Sequence, residues 1–211
     1  MNARSGLSSI GLYCSSSAAL PPATLQLAAD FGRLCGERGI RLVYGGGARG
    51  LMGIAARAAH AAGGRVQGFM LQALIEREGA NVAIGEFHVV ATLAERKRRI
   101  GQESDAVVAL PGGIGTLDEL TEILTLDDIG LTQKPVCLVD VDGFWDPFCT
   151  MLESFDAYGV LRTGMQRDLL RAASADSALD LCAAACERRG RVGVAAASCA
   201  QRAFGGRRVL G

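Results

Sequence analysis

The chain has 211 residues, of which 49% are hydrophobic and 21% charged, with 22 basic residues balanced by 22 acidic ones. That length and balance suit one globular domain with a full core, and zero net charge gives no overall basic surface for nucleic acid or an anionic membrane. No apolar run reaches membrane-spanning length and the N-terminus lacks a charged-then-apolar signal pattern, so cytoplasmic residence without membrane or nucleic-acid partners is expected.

Short β-type runs alternate with helical patterns. Ile10–Cys14 reads as a first strand. Pro22 opens a helix with Leu27, Ala28, Phe31, Leu34 and Cys35 on one face, and Gly39 stops it. Arg41–Tyr44 is a second strand ending at Gly45-Gly46-Gly47, and Leu51–Ala62 an alanine-rich helix. Arg65–Phe69 is a third strand, Leu71–Glu78 a short helix or loop, and Glu86–Val90 a strand. Thr92–Glu103 is helical, Asp105–Leu110 a strand, Thr116–Asp128 helical and Pro135–Asp140 a strand. A helix from Asp146 to Tyr158 follows, then a last one over Ser177–Arg189 with Asp176 as N-cap. This alternation predicts a single-domain, doubly wound, mostly parallel α/β sheet of Rossmann-like type over residues 1–189. Residues 190–211 carry Arg191, Arg202, Arg207 and Arg208 without an acid and read as a poorly ordered tail.

Ligands on such sheets sit beyond the carboxyl ends of the strands. Three loops there stand out. Pro111–Glu119, PGGIGTLDE, takes a strand through glycines into a helix. Glycines let backbone approach a ligand, and free N–H groups at a helix start favour an anion. The turn is neither GxGxxG nor a Walker loop, whose lysine is missing. Glu119 has two readings: a carboxylate at the site, or the far end of a capping box begun by Thr116. Gly45–Gly53, GGGARGLMG, is a second glycine loop on the same edge, which makes Gly46 and Gly47 candidate contacts. Cys14–Ser17 leaves the first strand and offers hydroxyls, Ser16 among them.

Thr92–Ile100, TLAERKRRI, carries four consecutive basic residues. Thr92 and Glu95 form a candidate capping box. At about 100° per residue, Leu93 and Ile100 mark the buried stripe. Arg96 and Lys97 flank it and can reach a site at the core's edge, while Arg98 and Arg99 turn away. The seven cysteines are odd in number and contain no CxxC pair, and His60 and His88 are the only histidines, so neither a disulfide framework nor a metal site is expected. Cys14 has no histidine placed to activate it.

Val43–Gly53, Glu95–Lys97 and Pro111–Glu119, in that order and followed by Lys134–Val141 and VDGFWDPF, resemble the LOG family. These are cytokinin riboside 5'-monophosphate phosphoribohydrolases, long labelled possible lysine decarboxylases. The resemblance implies a Rossmann-like homodimer that hydrolyses the N-glycosidic bond of a nucleoside 5'-monophosphate to free base and ribose 5-phosphate. It implies no metal and no organic cofactor. Glu119 takes the catalytic carboxylate role and Arg96 matches the functional arginine. Lys97 accompanies it as a substrate contact, and Gly112, Gly113, Gly115 and Thr116 match the phosphate turn. The chain departs from the family's pattern at Leu93, Ala94, Leu126 and Asp128, around Met70-Leu71 and at Cys14-Ser15-Ser16, positions that bear on the base more than on the phosphate. A non-catalytic carrier on the same fold, such as one for the molybdenum cofactor, is the alternative. A nucleotide-sensing scaffold is a third, weaker one.

Overall fold

The computed structural model describes residues 6–161 and 169–204. Its strands are β1 (Ser9–Tyr13), β2 (Arg41–Tyr44), β3 (Val66–Leu71), β4 (Glu86–Val90), β5 (Ala106–Ala109), β6 (Val136–Val139) and β7 (Leu169–Ala172). Its helices are α1 (Pro22–Glu37), α2 (Gly50–Ala61), α3 (Gln72–Glu78), α4 (Leu93–Gln102), α5 (Ile114–Asp128), α6 (Asp146–Ala157) and α7 (Ala175–Phe204). The strands form one parallel sheet in the order β4-β3-β2-β1-β5-β6-β7. The expected doubly wound sheet is therefore present. Strand order reverses between β1 and β5, where the crevice of such a sheet opens.

Both faces are covered. Phe31 and Cys35 of α1, Leu51 and Ala55 of α2 and Leu179 and Cys182 of α7 bury one face with Leu12 and Val108. Ile100 of α4, Leu120 and Ile123 of α5 and Phe148 of α6 bury the other with Tyr13, Val43 and Phe69. Because both faces are covered, β1, β2, β5 and β6 are nearly continuous hydrophobic runs. Each fully buried Leu, Ile or Phe contributes about 1.5–3 kcal/mol relative to exposure. At the amino end of the crevice, the Asp105 carboxylate accepts bonds from the N–H and Oγ of Ser8 (2.9 and 2.8 Å) and of Ser9 (2.8 and 2.9 Å). These bonds help fix β5 against β1.

Three sequence expectations change. Leu71–Glu78, a short helix or loop by sequence, is helix α3 from Gln72 onward, with Leu71 as the last residue of β3. Strand β7 was not expected: LLRA has no β-branched residue and no alternation, so nothing local marks it as a strand. The last helix runs on to Phe204, well past Arg189, and it is not capped by Asp176. Ser174 and Ser177 cap it reciprocally, each Oγ accepting from the other's N–H at 3.2 Å, while Asp176 pairs with Arg38, the residue just past α1. Residues 205–211 of the tail lie outside the described residues.

Candidate functional site

Loops from β1, β2 and β5 meet at the carboxyl edge. The Ser15 N–H donates to Pro111 O (3.2 Å), and the Leu51 N–H donates to Ser15 O (3.0 Å), so the serine turn ties the β5 loop to the start of α2. Ser16 lies in this turn, half-buried, with its backbone against Gly50. Helix α5 begins at Ile114 with Gly113 as its N-cap and no side-chain cap bond. Its first bond runs from the Leu117 N–H to Gly113 O (3.0 Å). The N–H groups of Ile114, Gly115 and Thr116 precede that bond, at a helix end where Gly113, Ile114 and Gly115 are exposed. This is the geometry of an anion site.

Thr116 is therefore inside the helix, not its cap. Its side chain is buried beneath Gly112, where a Cβ would stand 2.1 Å from Thr116 Oγ1. The capping-box reading of Glu119 fails for the same reason. Glu119 is 4% exposed and its Oε1 accepts from Arg96 Nη1 at 2.8 Å.

Arg96 is held on every arm. Nε donates to Phe69 O (3.0 Å) on β3, and Nη2 donates to Gly45 O (3.2 Å) just beyond β2. A Cβ at Gly45 would stand 1.7 Å from Nη2, so only glycine admits this guanidinium. Arg96 and Ile100 supply the buried stripe of α4, whereas Leu93 is exposed, contrary to expectation. The helix turns Arg96 inward because three acceptors await it there. Arg98 is exposed as expected, but Arg99 is half-buried, with its guanidinium 4.9 Å above the Phe69 ring.

Burial pushes the Glu119 carboxyl up to about 7, against the pull of the adjacent Arg96 charge. Burial likewise pushes the Tyr13 hydroxyl and Cys14 thiol up, and the Glu119 charge adds to both shifts. Cys14 is thus held as a neutral thiol, unsuited to nucleophilic attack. Lys97 Nζ lies 2.9 Å from Asp118 and 2.5 Å from Glu122 on α5. It lines an open groove of about 500 Å³ between α4 and α5, together with Tyr13, Ala94, Ile123 and Leu126.

The second glycine loop is strapped by the chain that follows α3. The Asn81 N–H donates to Gly46 O (3.1 Å), Asn81 Nδ2 donates to Gly47 O (3.0 Å), and the Ala48 N–H donates to Gly79 O (3.2 Å). Sequence reasoning missed Asn81, since an asparagine after a short helix carries no local signal of this contact. The histidines are structural or peripheral: His88 stacks on Phe69 with centroids 5.0 Å apart, and His60 is exposed at the end of α2. Among the described residues no cluster of three or more His, Cys, Asp or Glu is arranged to hold a metal ion.

The fold and site define a Rossmann-like protein with an anion-accepting helix start beside a buried arginine–carboxylate pair. A family described as "Possible lysine decarboxylase" matches residues 52–182. The chain is 38% identical over 172 residues to the cytokinin riboside 5'-monophosphate phosphoribohydrolase LOG of Oryza sativa subsp. japonica, covering 82% of this chain and 71% of that one. It is 37% identical to the phosphoribohydrolase LOG2 of Arabidopsis thaliana, covering 82% of this chain and 81% of that one. The chain belongs to the LOG family. Among solved structures, it is similar to the Moco carrier protein of Chlamydomonas reinhardtii (TM-score 0.65, 22% identity, 85% of this chain and 98% of that one). It is also similar to the molybdenum cofactor binding protein of Rippkaea orientalis (TM-score 0.62, 22% identity, 82% and 93%). At that identity these likenesses concern the fold.

Proposed function

We propose that the protein hydrolyses the N-glycosidic bond of a nucleoside 5'-monophosphate, an AMP or N6-modified AMP, to free base and ribose 5-phosphate. The observation that carries this reading is the buried Arg96–Glu119 pair beside the open start of α5. A 5'-phosphate at the N–H groups of Ile114, Gly115 and Thr116 places the ribose toward Glu119. Bond cleavage develops positive charge on C1' and the ring oxygen, and a carboxylate facing that charge stabilises it. Water supplies a hydroxyl to C1' and its proton leaves toward Glu119 or the departing base. Arg96, bonded to Phe69 O and Gly45 O, orients the carboxylate. Ala94 and Leu126, two of the departures from the family's pattern, line the α4–α5 groove, which Arg96, Glu119 and the turn before α5 do not line.

The molybdenum-cofactor carriers share the fold, whereas the identities of 37–38% lie with hydrolases. A homodimer completes the proposal, supported by the apolar α4–α5 groove. Free thiols at Cys14, Cys35, Cys137, Cys149, Cys182 and Cys186 suit the reducing cytoplasm. Incubation with AMP, other nucleoside monophosphates and isopentenyl-AMP should release base and ribose 5-phosphate in equal amounts. Binding of all of them without release from any would overturn the enzyme and leave a carrier.

A further inference from the structure

Two consecutive residues of α4 meet two consecutive residues of α5. Arg96 Nη1 donates to Glu119 Oε1 at 2.8 Å, and beside it Lys97 Nζ donates to Asp118 Oδ1 at 3.0 Å. Lys97 Nζ also lies 2.5 Å from Glu122 Oε2. The Lys97 side chain is 12% exposed, with its ammonium engaged between these two carboxylates. Burial works against that charge, yet the bonds to Glu122 and Asp118 outweigh it and hold Lys97 above its ordinary pKa.

Residues three apart on a helix share a face, so Glu119 and Glu122 are neighbours along α5, and Asp118 precedes them. Tyr13 on β1 feels the charges of both Glu119 and Glu122. Three carboxylates thus crowd one turn of helix, and like charges resist ionising together. The groups around Glu119 are Arg96 and Lys97 from α4, Asp118 and Glu122 from its own helix, and Tyr13 and Cys14 from β1. Burial keeps Tyr13 and Cys14 neutral. Burial also raises Glu119 most, and Arg96 pulls it down; beyond these, the Asp118 charge adds to the rise and the Lys97 charge opposes it. Arg96 is bonded to Glu119 itself, which leaves Lys97 to offset Asp118 and Glu122.

We propose that Lys97 is a positioning residue for the reacting carboxylate: by holding Asp118 and Glu122 it cancels their charge beside Glu119, so that Glu119 can carry its own charge at neutral pH. This role rests on the hydrolase reading above. Lys97 then needs no contact with the substrate. Its loss changes how much of Glu119 is ionised and not how tightly AMP is held.

The test measures the pH profile of kcat/KM for AMP in the parent, Lys97→Met, Lys97→Arg and Asp118→Asn. Methionine keeps the length of the side chain without its charge, and arginine restores the charge. In Lys97→Met the midpoint should move up by about half to one pH unit, a loss of roughly three- to tenfold at about pH 6 that vanishes on the alkaline plateau. KM on that plateau should change less than about twofold. Lys97→Arg should follow the parent, and Asp118→Asn should move the midpoint down. An unmoved midpoint in Lys97→Met overturns the proposal. So does a KM raised equally at every pH, which would make Lys97 a substrate contact. If Lys97→Met does not fold, Asp118→Asn decides by the direction of its shift. Carboxyl NMR titration of Glu119, assigned by its absence in Glu119→Gln, reads the same shift without turnover. If the parent releases no base, the hydrolase reading fails and this titration still decides whether Lys97 sets the ionisation of Glu119.

Discussion

Glu119 is a carboxyl group buried against a guanidinium, and the two surroundings pull its acidity in opposite directions. Burial wins and moves the group up to about 7. Its native pKa thus lies above its value in the unfolded chain. The native state then binds a proton more tightly than the unfolded state between about 4.5 and 7. Stability from this group is fully present below the lower value and is lost as pH rises through the upper one. Activity should run the other way, because stabilising charge on the ribose needs the carboxylate. The kcat/KM for AMP should climb with pH and level off above about 7. Glu119→Gln should remove turnover, roughly a hundredfold or more, keep AMP binding and flatten the stability–pH curve across that span. A pH-independent rate in the parent protein, or a glutamine variant that still turns over, would show that Glu119 is not the reacting carboxylate.

Helix α4 carries Arg96 into the site, and its start is fixed by a capping box. The Thr92 Oγ1 accepts from the Glu95 N–H (3.1 Å), and Glu95 reaches back to the N–H of Ala91 (3.0 Å). Thr92→Ala should therefore cost about 1 kcal/mol and lower Tm by about 2–4 °C for a domain of this size. Calorimetric melting checks it, and an unchanged Tm would mean that tertiary contacts alone hold the first turn. This box was legible in the sequence because its partners are three residues apart and solvent-facing. The same T-x-x-E pattern at Thr116–Glu119 misled, since the N-cap of α5 is Gly113, three residues earlier than the pattern implies. The alternation of strands and helices and most boundaries follow from hydrophobic periodicity and glycine stops, which are local. Leu93 looked like a core position, yet the inward position on α4 belongs to Arg96. A buried arginine becomes favourable only when Phe69 O, Gly45 O and Glu119 supply acceptors from three other segments. Those partners are 23 to 51 residues away in sequence, so no local pattern could announce them. The strap through Asn81 escaped for the same reason.

Across the whole molecule, charge is zero in sum but separated between the two helices that flank the site. Helix α4 sets Arg96, Lys97, Arg98 and Arg99 against one acid, Glu95. Helix α5 carries Asp118, Glu119, Glu122, Asp127 and Asp128 and no base. The groove between them has an apolar floor at Tyr13, Ile123 and Leu126, and at its rim Leu131 is 73% exposed. A two-fold axis through this groove would set α4 of one protomer against α5 of its partner. That arrangement covers the apolar floor and opposes unlike charges, and the same patch serves both protomers. Light scattering should give a mass twice the 22.0 kDa of one chain. Leu131→Asp places a carboxylate at the rim beside the acidic face of α5. It should shift the protein toward monomer while leaving the melting transition cooperative, because an exposed side chain contributes little within one protomer. A parent protein that is monomeric at micromolar concentration would rule out the dimer. A dimer indifferent to Leu131→Asp would move the interface to another face, such as the exposed Met151, Phe155 and Tyr158 of the α6 region.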